Sequence, residues 1–188
     1  MKIIINEGQY KKIVDELNVK TKDIFGSGME HYIFPSKTNP NILYKVGRES
    51  TIMELYNYIK EGPEFFPKLY GIKKLNGIEK LAHGRTFKED IYYLILEKLE
   101  TKKFVLMCDS IFPVMYEQDI FASFRHFECF TVVKRFLEDK EERDFCDKVV
   151  KLLSGMKKKF GDGPFFDFDL HKYNFGIDSN GEIKCLDL

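Results

Sequence analysis

The chain has 188 residues, of which 44% are hydrophobic, and its 30 basic and 30 acidic side chains cancel. That length and apolar content suit one cooperative core with two sublobes, and the charge balance removes any electrostatic case for generic nucleic-acid or membrane-surface binding. No run approaches the length of a spanning helix, Met1-Lys-Ile-Ile-Ile-Asn-Glu turns polar too soon for a signal peptide, and Cys108, Cys129, Cys146 and Cys185 are too scattered for a disulfide frame or a zinc site, so a cytosolic protein with reduced, buried thiols is expected.

In chain order, the first predicted element is a helix from Glu7 to Leu17, with Tyr10, Ile13, Val14 and Leu17 on one face. Asp23-Ile-Phe-Gly26-Ser27-Gly28-Met-Glu-His31-Tyr-Ile-Phe34 follows as a glycine-rich turn between apolar runs, where residues without a Cβ let backbone N–H groups approach an anion. A turn at Thr38-Asn-Pro-Asn41 leads into Ile42-Leu-Tyr-Lys45-Val46, a strand with one cation among apolar neighbours. A lysine in such a strand ordinarily marks an edge or a solvated face. Ser50 to Lys60 is predicted helical, with Ser50 as N-cap and Ile52, Leu55, Tyr56 and Ile59 as the apolar stripe. Past the Gly62-Pro63 break, strands are expected over Phe66 to Lys73 and Tyr92 to Leu99.

From about Asp109 to Phe160 the pattern is helical, crowded first with Phe112, Tyr116, Phe121, Phe124, Phe127, Phe130 and Phe136 and then with Val149, Val150, Leu152, Leu153 and Met156. Such stripes are core or helix-packing surface. The chemistry concentrates after them. Asp169 and Asn174 lie five apart in a polar loop, and short apolar runs at Phe175 to Ile177 and Ile183 to Leu186 flank Asn180-Gly181, a two-residue hairpin signal. That hairpin would return Asp187 beside the loop. Two carboxylates and a carboxamide would then offer the hard oxygen donors that magnesium takes when it also binds phosphate.

These segments, in this order, resemble the protein kinase-like superfamily, and Asp169-Leu-His-Lys-Tyr-Asn174 looks closest to its aminoglycoside phosphotransferase and choline kinase branch. The resemblance runs from about Asp23 to Leu188. It implies a minimal α+β fold: an N-lobe over 1–99, with an antiparallel sheet and one helix, and a reduced helical C-lobe over 100–188 ending in the catalytic hairpin. It also implies ATP and Mg2+ as cofactors. By resemblance, Gly26, Ser27 and Gly28 would cover the phosphates and Lys45 would contact them. Amide groups of Glu97 and Leu99 would bond the adenine edge, Asp169 would accept the acceptor's hydroxyl proton, and Asn174 and Asp187 would hold the metal. For the carboxylate that steadies Lys45, periodicity turns Glu54 away from the apolar stripe and sets Glu49 nearer to it, whereas the family pattern points to Glu54, which is the expected partner.

The match has departures. His31 stands in place of a third glycine, and Asp167 stands where the family usually has histidine or tyrosine. The chain stops one residue after Asp187, so an activation segment and the helices that support a peptide substrate are not expected, as in short phage-encoded kinase-like proteins. The implied function is ATP- and magnesium-dependent phosphotransfer to a small hydroxyl-bearing molecule or an unidentified protein, in a cytoplasm or, for a phage protein, a host cytoplasm or virion. The alternative is a pseudokinase, or a structural module that binds a protein partner through its aromatic helices.

Overall fold

The computed structural model describes residues 15, 26–27, 31–75, 79–82, 85–88, 90–121, 124, 126–162 and 170–186. The chain is mixed α+β and divides into two compact units, one of residues 1–61 and 68–98 and the other of residues 62–67 and 99–188. The predicted helix over Glu7 to Leu17 falls outside the described residues apart from Asp15.

In the first unit, strands β1 (Gly26–Ser27), β2 (His31–Pro35), β3 (Ile42–Arg48), β4 (Leu69–Leu75) and β7 (Ile91–Glu97) form an antiparallel sheet in the order β1-β2-β3-β7-β4. β3 and β7 pair along their whole length, from Ile42 opposite Glu97 to Arg48 opposite Ile91. Both carry the near-continuous apolar runs of strands buried on two faces, and Leu43, Val46, Tyr93, Leu94 and Leu96 are accordingly buried. β5 (Glu79–Ala82) and β6 (Arg85–Lys88) form a separate two-stranded hairpin between β4 and β7. The sequence reading did not anticipate it.

Helix α1 (Glu49–Glu61) follows β3 without a loop and packs on β3 and β7 through Ile52, Leu55 and Ile59, the spacing of one helical face. It starts one residue before the expected N-cap Ser50. The Glu49 N–H is taken by the Asp90 carbonyl at 3.1 Å, so the neighbouring chain rather than a serine side chain satisfies this end.

The second unit is built on α2 (Thr101–Glu117), α3 (Glu128–Val133), a 3-10 turn (Lys134–Phe136) and α4 (Lys140–Phe160). α4 is bounded as its sequence dictates. Asp139 caps it by accepting the Glu142 N–H at 3.0 Å, Glu141 and Glu142 sit at its positive end, and Lys157, Lys158 and Lys159 lie in the last turn. Phe145, Cys146, Val149, Leu152, Leu153 and Met156 form its buried stripe. α2 begins at Thr101, eight residues earlier than the helical pattern suggests, and tolerates Pro113 on its exposed side. All four cysteines are buried thiols, and burial pushes those of Cys108 and Cys146 up to about 12.

The segment Gly62–Pro67 corrects the predicted strand. Phe66 is buried, but the strand starts only at Leu69, and residues 62–67 belong to the second unit. The Phe65 ring meets Phe160 edge-on at 5.9 Å between centroids, so these aromatics serve the helical core.

Candidate functional site

Lys45 sits at the middle of β3, opposite Ile33 on β2 and Leu94 on β7. It is 1% exposed, the one buried polar or charged residue among those described. β3 is an inner strand, which removes the edge explanation for a strand lysine, and the low exposure of the side chain removes the solvated-face one. An ammonium enclosed in this way needs neighbouring groups that compensate the loss of water. That makes the inner-strand lysine the candidate site residue of the first unit.

The other residues expected around Lys45 are placed as follows. Gly26 and Ser27 form β1, with Gly26 opposite Ile33 and Ser27 opposite Tyr32, while Gly28 lies outside the described residues. Glu54 is exposed on α1, as the helical periodicity predicts, and Glu49 is exposed at the helix start. Glu97 ends β7, and its N–H donates to the Lys68 carbonyl at 2.9 Å, so an adenine edge could use that donor only by displacing it. The Lys98 N–H donates to the Asn41 carbonyl at 2.8 Å. Leu99 is buried, two residues before α2 begins at Thr101.

In the second unit, Leu170 and Phe175 anchor the two ends of the loop in the core. Between them Lys172–Asn174 form a single 3-10 turn, begun by His171, whose Nδ1 accepts the Tyr173 N–H at 3.2 Å and whose carbonyl accepts the Asn174 N–H at 2.9 Å. Asn174 is half-buried. Its backbone carbonyl accepts the Leu186 N–H at 2.7 Å, so the residue immediately before Asp187 in sequence is docked on Asn174. Asp167, Asp169 and Asp187 themselves lie outside the described residues. Among the described residues, no three His, Cys, Asp or Glu side chains gather as a metal site.

That docking comes from the predicted hairpin, β8 (Phe175–Ile177) paired with β9 (Ile183–Cys185) in the register Phe175 to Cys185 and Ile177 to Ile183. Its turn differs from the expected one. Asp178 N–H donates to the Glu182 carbonyl at 2.9 Å, Gly181 N–H donates back to the Asp178 carbonyl at 3.0 Å, and Gly181 has φ +79°. Because Asp178 pairs with Glu182, three residues rather than the two of Asn180-Gly181 make the loop, and without a positive φ at Asn180 neither primed two-residue turn is formed. The loop is the three-residue kind, a turn through Ser179-Asn180 closed by a left-handed Gly181. Asp178 Oδ1 fixes it by accepting the Asn180 and Glu182 N–H groups, both at 2.9 Å.

Three-residue strands are too short to hold themselves, and the second unit supplies the rest. Glu100 N–H donates to the Ile177 carbonyl at 2.8 Å on one edge, and Cys185 N–H donates to the Phe65 carbonyl at 2.8 Å on the other. Phe175 stacks on Phe104 at 5.4 Å and on Phe124 at 5.0 Å. Gly176 admits this packing because a Cβ there would stand 2.6 Å from the Leu99 Cβ. These supports escaped the sequence reading, since each joins residues far apart in the chain.

No protein-family model matches the chain, and no curated protein matches it. Among the described residues no helix is long and apolar enough to cross a membrane.

Proposed function

We propose that this protein is a minimal kinase-like phosphotransferase that uses ATP and Mg2+ to phosphorylate a hydroxyl-bearing small molecule or protein. The observation that carries the reading is the enclosure of Lys45 on an inner strand. An ammonium kept out of bulk water retains strength toward phosphate oxygens that a hydrated one loses. Lys45 orients the nucleotide's phosphates, Asp169 accepts the proton of the acceptor hydroxyl, and Asn174 and Asp187 hold the metal. Catalysis of this kind is positioning and charge neutralisation, with little covalent chemistry asked of the protein.

The donor types suit magnesium: a carboxamide oxygen and carboxylates, with no sulfur or imidazole. The 2.7 Å bond from Leu186 to Asn174 supports treating Asn174 and Asp187 as one unit. When bound, magnesium would neutralise charge on the phosphate oxygens. On this reading Mg-ATP raises the melting temperature of the wild-type protein, and Lys45→Met and Asp187→Asn each remove the response. Consumption of ATP with a panel of hydroxyl-bearing acceptors then measures turnover. No shift in the wild type at millimolar Mg-ATP sinks the proposal.

A second reading, a kinase-fold binding module without turnover, is favoured by Tyr116 and Phe121, which are 85% and 76% exposed near the end of α2. It predicts nucleotide binding without acceptor phosphorylation, or neither.

A further inference from the structure

The 3-10 turn that carries Asn174 is only one turn long. Lys172, to which the sequence reading gave no role, supplies an external hold. Its Nζ forms an ion pair and hydrogen bond with Asp109 of α2, 63 residues away in the chain. The same ammonium lies 6.0 Å from the centre of the Phe112 ring and 5.3 Å from that of Tyr173, so aromatic faces flank the pair. Asp109 and Phe112 are three residues apart and share one helical face, adjacent to the buried stripe of Cys108, Ile111 and Met115. α2 thus presents a carboxylate and a ring together toward the loop.

Ordinary surface ion pairs contribute little, because both partners are hydrated and mobile. What sets this pair apart is what it joins: Lys172, whose side chain is 23% exposed, ties the 3-10 turn to α2, where Asp109 and Phe112 both meet its ammonium.

We infer that Asp109 and Lys172 are positioning residues, forming an ionic latch that fixes the turn Lys172–Asn174 and thereby aims the Asn174 carboxamide at its metal. The consequence for metal binding rests on the phosphotransfer reading; the hold on the turn does not. Both residues are at least partly exposed, so the helical core survives loss of the pair. Outer partners that orient metal ligands are worth about 10–100-fold in metal affinity.

The test uses Asp109→Asn, Lys172→Met, the conservative Lys172→Arg, and the exchanged pair Asp109→Lys with Lys172→Asp. Hydrogen–deuterium exchange without nucleotide reports the turn, and calorimetric titration with Mg-ATP reports the ligand. In Asp109→Asn and Lys172→Met the amides of Tyr173 and Asn174 are expected to exchange faster while those of α4 are unchanged, and Mg-ATP affinity should fall at least about tenfold. Lys172→Arg and the exchanged pair should restore both. Unchanged exchange in the two disrupted variants overturns the latch, as does wild-type Mg-ATP affinity in both, or failure of both rescuing variants. A wild-type protein that binds no Mg-ATP overturns the phosphotransfer reading instead, and faster exchange in the disrupted variants then still supports the latch.

Discussion

The two small hairpins of this chain are held in opposite ways. β5–β6 has four-residue strands that, among the described residues, pair only with each other, as an excursion from the turn between β4 and β7. β8–β9 has three-residue strands, yet it is hydrogen-bonded on both edges, to Glu100 and to Phe65, and its Phe175 joins Phe104 and Phe124 in a three-ring cluster. An isolated two-stranded hairpin is marginal in water at either length. The shorter one is therefore fixed by its surroundings, and the 3-10 turn that presents Asn174 leads directly into it. Precision at that position is a property of the helical core rather than of the strands.

Removing the core anchor should have the largest effect. Phe175→Ala is expected to cost about 3–5 kcal/mol in urea unfolding, the range for emptying a buried aromatic site, and a loss below about 1 kcal/mol would mean the hairpin holds itself. Gly176→Ala comes next, because its new Cβ meets the Leu99 Cβ at 2.6 Å; overpacking of this kind costs about 1–3 kcal/mol. A neutral result would show that Leu99 yields freely. At the tip, Gly181→Ala imposes a left-handed backbone on an L side chain and should cost about 1–2 kcal/mol. Gly181→Asn should recover part of that loss, since asparagine tolerates this conformation better than alanine. The smallest effect is expected where the comparison predicts independence: replacing residues 77–88 by Gly-Ser removes β5–β6 but keeps Asp90, whose carbonyl accepts the Glu49 N–H. That exchange should alter stability by less than about 1 kcal/mol, since the closing loop only becomes shorter. Cooperative unfolding of the shortened protein at ambient temperature would refute the distinction between the hairpins.

What was legible in the sequence followed local pattern. The stripe of α1, the cap and charge gradient of α4, the strand around Lys45 and the β8–β9 pairing all arise from residues within a few positions of one another. The misreadings share a different origin. Phe66 looked like the start of a strand because it is apolar beside other apolar residues, whereas it fills the core of the second unit. Ser50 looked like a cap because serine caps helices, but a distant carbonyl from Asp90 had taken that duty. Asn180-Gly181 marked the right hairpin and the wrong turn, since the choice between two and three loop residues was made by Asp178, whose side chain closes the longer form. Of the candidate site, the inner-strand lysine was visible only as a lysine in an apolar run. Its place on an inner strand depends on β7 returning to pair with β3 after more than forty residues.

The excursion of Gly62–Pro67 into the helical unit bears on how the molecule is made. Phe65 leaves its carbonyl for the amide of Cys185, 120 residues later in the sequence. A ribosome delivers the first partner long before the second, so during synthesis Phe65 and Phe66 must wait uncovered. Such a gap slows productive collapse and invites sticking to other nascent chains. For the same reason the sheet-bearing portion cannot be severed at Lys98 and expected to behave as a well-mannered fragment: it would carry away a greasy plug whose socket had been left behind.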